Sequence, residues 1–136
     1  MKKLILFFAL IEICFSCNKV DDIDQNLNGK YSGVFTVEYS DGTKYSNSVT
    51  VNFSKINSYT SSGNGNSNNF YPAGGSGAYV MKESKIVFSD TNVWLAHFDW
   101  NLILGGEYNY SINGNELTIS ANKNDVGFYK YELKKE

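Results

Sequence analysis

Three kinds of side chain in this sequence have the reactivity or shape to do chemistry: a cysteine behind an apolar leader, one histidine among acids, and many aromatic rings. Cys17 closes a stretch in which Lys2 and Lys3 form a charged start and Leu4 to Ile13 an apolar run broken by Glu12. Ser16 then places a small residue just ahead of the thiol, which is the layout of an export leader ending at a lipid-accepting cysteine. His97 is the only histidine, so paired-histidine metal motifs are absent and a Ser-His-Asp arrangement would have to route through it, with Asp90 or Asp99 as the acid. A single histidine in a loop reads first as a structural or solvent-exposed residue. Glu38, Asp41, Glu83, Glu116 and Asp125 fall at turns or on outward parity and read as solubilising charge rather than as a paired-carboxylate hydrolytic site. The expectation is a non-catalytic protein with no cofactor and no metal.

Aromatic residues are the side chains most suited to touching a ligand. Tyr31, Tyr108, Tyr110, Tyr129 and Tyr131 share inward parity on predicted strands, as do Tyr39 and Tyr45, and would line a barrel with rings whose tips are hydroxylated. Phe70, Tyr71, Trp94 and Trp100 lie in or beside the longest predicted loops, where they can form a stacking platform for sugar rings or a cap over the core. The competing reading of the inward tyrosines is a packed core, because small eight-stranded barrels are filled by their own side chains.

These rings need strands to position them, and the chain after Cys17 alternates at the strand period almost throughout. Tyr31, Gly33, Phe35, Val37 and Tyr39 share one parity, Asp41-Gly42 marks a turn, and Tyr45, Val49, Val51 and Phe53 form the inner face of a hairpin partner. Ile56 and Tyr59 can open a third strand, and Tyr79-Val80-Met81 and Ile86-Val87-Phe88 flank a tight connection at Glu83-Ser84. Trp100, Leu102, Leu104, Gly106, Tyr108, Tyr110 and Ile112 hold one parity over a run that would extend about 43 Å at ~3.3 Å per residue. Gly105-Gly106 suggests a bend or bulge within it. Asn113-Gly114 marks a two-residue hairpin turn into Leu117, Ile119 and Ala121, Asn122 to Asp125 turns the chain again, and Tyr129, Tyr131 and Leu133 line the last strand. The fold class is therefore all-β: an antiparallel meander of about eight strands closed, or nearly closed, into a barrel, with a β-sandwich as the alternative.

Between these strands, the glycine-rich Ser61 to Gly77 lacks the Gly-Lys-Ser/Thr of a phosphate cradle and reads as a flexible loop or a binding lid. The leader at 1–16 is too short to span a bilayer, which takes about 20 apolar residues. Residues 17–28, with Asp21, Asp22 and Asp24, form an acidic tether reaching at most about 38 Å beyond the cysteine at ~3.5 Å per residue, and the barrel domain occupies 29–136. The sequence carries 12 Lys+Arg and 14 Asp+Glu, a net charge of −2, and every cation is a lysine. Without arginine or a basic cluster, no nucleic-acid partner is expected. Loss of the leader would remove Cys14, so an acylated Cys17 would leave no free thiol.

Several segments carry a family resemblance. The Ser16-Cys17 junction resembles the relaxed lipobox of Bacteroidota lipoproteins, with Cys14 where an aliphatic residue is commoner; the alternative is an ordinary secretory signal cut near Ser16. Lys19-Val20-Asp21-Asp22 resembles the lysine-plus-acidic run that exports some of these lipoproteins to the cell surface, and reads equally as a solvated linker. Asn28-Gly29-Lys30-Tyr31-Ser32-Gly33, Gly77-Ala78-Tyr79, Lys85-Ile86-Val87-Phe88-Ser89-Asp90, Leu104-Gly105-Gly106-Glu107-Tyr108-Asn109-Tyr110 and Tyr129-Lys130-Tyr131-Glu132-Leu133-Lys134 together resemble small lipocalin-like lipoproteins of Bacteroidota over residues 28 to 135. Tyr31 stands where the lipocalin opening usually has tryptophan. The resemblance implies a calyx-like barrel that binds a small apolar or amphipathic molecule. The functional expectation is a binding module for such a molecule or a glycan, held to the outer membrane through its N-terminal lipid and facing the periplasm or the cell surface. The alternative is a structural or interaction protein with a filled barrel and an unknown protein partner.

Overall fold

Period-two alternation is realised as eight antiparallel strands in a computed structural model that describes residues 27–63, 71–95 and 97–136. They are β1 (Gly29–Tyr39), β2 (Lys44–Phe53), β3 (Ser58–Ser61), β4 (Gly75–Lys82), β5 (Lys85–Asp90), β6 (Gly106–Asn113), β7 (Glu116–Lys123) and β8 (Gly127–Lys135). Each strand pairs with the next, and β8 returns to pair with β1 from Tyr31↔Lys135 to Tyr39↔Gly127, closing the barrel. Closure gives every strand a partner on both sides over at least part of its length, although β2 meets β3 only over Val51–Phe53. The leader, Cys17 and the tether up to residue 26 lie outside the described residues, as does Phe70. No helix among the described residues is long and apolar enough to cross a membrane.

One long run of alternation is not one strand. The chain from Trp100 to Leu102 forms a short 3-10 helix whose start is capped by Asp99, its Oδ1 accepting the Asn101 N–H at 2.9 Å. Ile103 then makes a parallel bridge to Gly74, with the Leu104 N–H donating to the Gly74 carbonyl at 2.8 Å. Only at Gly106, whose φ of +83° few side chains tolerate, does the backbone turn into β6. The parity of Trp100, Leu102 and Leu104 was thus set by a loop that dips into the barrel, which mimics a strand in sequence. Two smaller differences concern turns. The β6–β7 turn is Gly114-Asn115, because Asn113 pairs with Glu116; Gly114 at φ +60° supplies the positive-φ first corner, one residue later than Asn113-Gly114 suggests. Ile56 belongs to the β2–β3 turn and is exposed.

The barrel interior is filled. Phe35, Val37, Val51, Tyr59, Tyr79, Ile86, Leu104, Tyr108, Leu117, Ile119, Tyr129 and Tyr131 are each less than 2% exposed. Aromatic rings cross the lumen edge to face: Phe53 on Tyr79 at 5.2 Å, Tyr59 on Phe88 at 4.8 Å, Phe88 on Tyr108 at 5.8 Å and Tyr108 on Tyr131 at 6.2 Å, with Phe35 tilted against Tyr131 at 4.7 Å. Such pairs contribute about 0.5–1.5 kcal/mol each beyond area burial. Both ends are stoppered. Leu27 is buried at the end carrying the β2–β3, β4–β5 and β6–β7 turns, and its carbonyl accepts from Tyr79 Oη at 2.8 Å. At the other end Leu102, Ile103 and Leu104 are buried as a plug, and Tyr59 Oη donates to the Leu104 carbonyl.

Candidate functional site

The long connections, 62–74 and 91–105, emerge at the plugged end, and their polar anchors are built from strand ends. Asp99 is the central one. Its Oδ2 accepts from Tyr39 Oη at 3.1 Å and Tyr129 Oη at 2.6 Å, so the last inward rings of β1 and near the start of β8 hold down the 91–105 connection. Burial, reinforced by the adjacent Asp99 carboxylate, pushes both phenols well above their ordinary range, so they remain donors at physiological pH. Asp90, at the end of β5, accepts the Ser76 N–H at 2.8 Å on Oδ1 and Trp94 Nε1 at 2.6 Å on Oδ2, which fixes the indole of Trp94 by its edge. Phe98 lies between the two tryptophans, edge-on to Trp94 at 5.7 Å and nearly parallel to Trp100 at 6.4 Å and 25°.

Between this aromatic row and the ends of β6 and β7 lies an open cleft of about 560 Å³. Trp94, Trp100 and Ile103 give it apolar surface; Asp90, Asn92, Asn101, Glu107, Asn122, Lys123 and Asn124 give it polar surface, with Gly105 and Gly106 between. Trp100 is 60% exposed and keeps ring surface free for a ligand. Glu107 pairs with Lys85 at 3.1 Å on the barrel exterior. Lys123 continues the inward parity of Leu117, Ile119 and Ala121, so its stem enters the mouth and its Nζ donates to the Gly105 carbonyl at 3.0 Å and the Asn101 carbonyl at 3.3 Å. The ammonium also sits 4.5 Å from the centre of the Tyr108 ring. Burial lowers its pKa to about 8, and the nearby Asp99 partly opposes that drop.

The predicted ligand residues separate into three groups. Tyr31, Tyr108, Tyr129 and Tyr131 are buried in the filled lumen, and Tyr108 Oη reaches the Ile103 carbonyl at 3.4 Å. Tyr110 is half-buried towards the opposite end and donates to the Glu83 carbonyl at 2.7 Å, fastening the β4–β5 turn. Trp94 and Trp100 line the cleft together, whereas Tyr71 stacks on Tyr45 at 4.7 Å and 9°, away from the cleft lining. His97 is exposed, and among the described residues no hydrogen bond joins it to Asp90 or Asp99, whose oxygens are held by the partners above. No group of three potential metal ligands occurs among the described residues. Sequence reasoning passed over Lys123 because it lies in the turn-like Asn122 to Asp125; its parity with Ala121 was the available signal. Comparison with known proteins adds no relative: no family model, no curated protein and no solved structure matches the chain.

Proposed function

We propose that this protein is a non-catalytic, lipid-anchored module of the cell envelope, a lipocalin-like lipoprotein acylated at Cys17, that binds glycans at the loop end of its barrel. The observation that carries the glycan reading is the cleft in which Trp94 and Trp100 stand beside amide and carboxylate side chains. Sugar rings present apolar C–H faces that stack on indole and hydroxyls that pair with Asn, Asp and backbone groups; this cleft offers both. The filled lumen argues against a calyx ligand and moves recognition to the rim. A screen of immobilised oligosaccharides, followed by titration of the tightest binder monitored by tryptophan fluorescence, tests the reading. Trp100→Ala, a change at an exposed ring, is expected to weaken binding at least tenfold, about 1.4 kcal/mol, while leaving the unfolding midpoint within a degree or two. Absence of any binder, or unchanged affinity in the variant, would refute it.

A second reading is favoured by the loop tip. Val93 and Leu95 are 84% and 90% exposed, an apolar pair with no cover among the described residues, which suits contact with another envelope protein. A photo-crosslinking side chain at position 95, activated in intact cells, is expected to capture one defined partner in this case and none if the cleft alone is functional.

A further inference from the structure

Among the described residues, Lys123 is the only cation lining the cleft. Two of its three N–H bonds go to the carbonyls of Gly105 and Asn101, and the ammonium rests over the rings of Tyr108 and Tyr129 at 4.5 Å and 5.6 Å, so among the described residues the third N–H has no oxygen acceptor. Among the described residues no carboxylate lies within ion-pair distance of it, since the ion pairs present all involve other lysines. The acids around it are committed elsewhere: Asp99 to Tyr39, Tyr129 and the Asn101 N–H, Asp90 to Trp94 and Ser76, and Glu107 to Lys85. A largely desolvated ammonium with spare donor capacity at the wall of an open cleft is a site for an anion, because a ligand carboxylate there would supply the missing charge and the missing acceptor together.

Resting on the glycan reading above, we propose that the preferred ligand is an acidic sugar whose ring stacks on the Trp94–Trp100 face and whose carboxylate pairs with Lys123. Uronates and sialates have this chemistry. Burial lowers the Lys123 pKa to about 8, with Asp99 offsetting only part of the drop, and a bound carboxylate would raise it.

An array containing both neutral and carboxylate-bearing oligosaccharides tests this, followed by titration of the tightest acidic binder and its methyl ester, which removes the charge and keeps the ring. Acidic sugars are expected to dominate the array, and the free acid to bind at least tenfold tighter than the ester at pH 6.5. Lys123→Met is expected to erase that difference, chiefly by weakening the free acid, and Lys123→Arg to restore part of it. The preference is also expected to fade above pH 8 as Lys123 loses its proton; of the other titratable groups around it, Asp90, Asp99 and Glu107 are acids and the phenols of Tyr39, Tyr108 and Tyr129 are held above their ordinary range by burial and stay neutral there. Equal binding of acid and ester, or an acid preference that survives in Lys123→Met, would overturn the inference and leave the glycan reading standing provided binding still depends on Trp100. An array with no binders would overturn both.

Discussion

Asp99 and Tyr131 show how differently two buried-side polar groups can contribute. Asp99 satisfies two phenols and one backbone N–H, so Asp99→Ala strands three donors at the barrel mouth and is expected to lower unfolding stability by about 2–4 kcal/mol in urea denaturation. Tyr131 is fully buried, yet among the described residues its hydroxyl has no hydrogen-bond partner, and burial raises its pKa well above the ordinary value. Tyr131→Phe removes an unpaired polar atom and keeps the ring packed on Phe35 and Tyr108, so it is expected to be neutral or stabilising by up to about 1 kcal/mol in the same assay. A loss above 1 kcal/mol would show that the hydroxyl is paired after all. In the sequence these two residues gave opposite signals. Tyr131 was legible as inward from its alternation with Tyr129 and Leu133. Asp99 stood out only as a neighbour of His97, because its partners at positions 39 and 129 are brought to it by barrel closure and leave no local trace.

At the scale of elements, the hairpins were readable where side chains alternate between core and solvent, as in Tyr31 to Tyr39 and Leu117 to Ala121. Alternation misled where a plug replaced a strand. Leu102 and Leu104 are apolar because they close the mouth, and a buried loop imprints the same pattern as a half-buried strand over a few residues. Gly33 marks another element-level constraint. A Cβ at this position would run into the Glu132 carbonyl of β8, so the close approach that seals β1 to β8 requires glycine. Gly33→Ala is therefore expected to destabilise the barrel by more than about 2 kcal/mol and to raise amide exchange along both β1 and β8; exchange confined to residue 33 and its immediate neighbours would contradict a role in the seam.

For the whole molecule, the tyrosine-filled interior and the half-hidden lysine together set the response to alkali. Lys123 has a folded pKa of about 8 against about 10.4 for an exposed lysine, so below pH 8 its charge costs stability, and that cost is relieved as pH rises from 8 towards 10.4. The core tyrosines act in the other direction. Burial pushes Tyr79 up to about 12 and raises Tyr59, Tyr108 and Tyr129 further, so above pH 10 an unfolded chain loses protons that the folded one keeps, and stability falls. Unfolding free energy is expected to rise on the order of 1–3 kcal/mol between pH 7.5 and 9.5 and to decline above pH 10. Lys123→Met should flatten the rise and retain the decline; urea titrations of both proteins across this range decide it, and a rise that persists in the variant would remove Lys123 as its source. The barrel as a whole was legible in the sequence, whereas an open and a filled interior stood as two readings, because alternation assigns rings to the inside without revealing whether they meet across it.

The seam between β1 and β8 also has a mechanical meaning. The chain enters β1 at Gly29, and β1 is hydrogen-bonded along nearly its whole length to β2 on one side and β8 on the other. A pull on the residues ahead of Gly29, directed along the strand, would load both ladders in shear, where many hydrogen bonds must yield together instead of one after another. Loaded between that end and its far rim, the domain would give up its first strand only when both ladders yielded together.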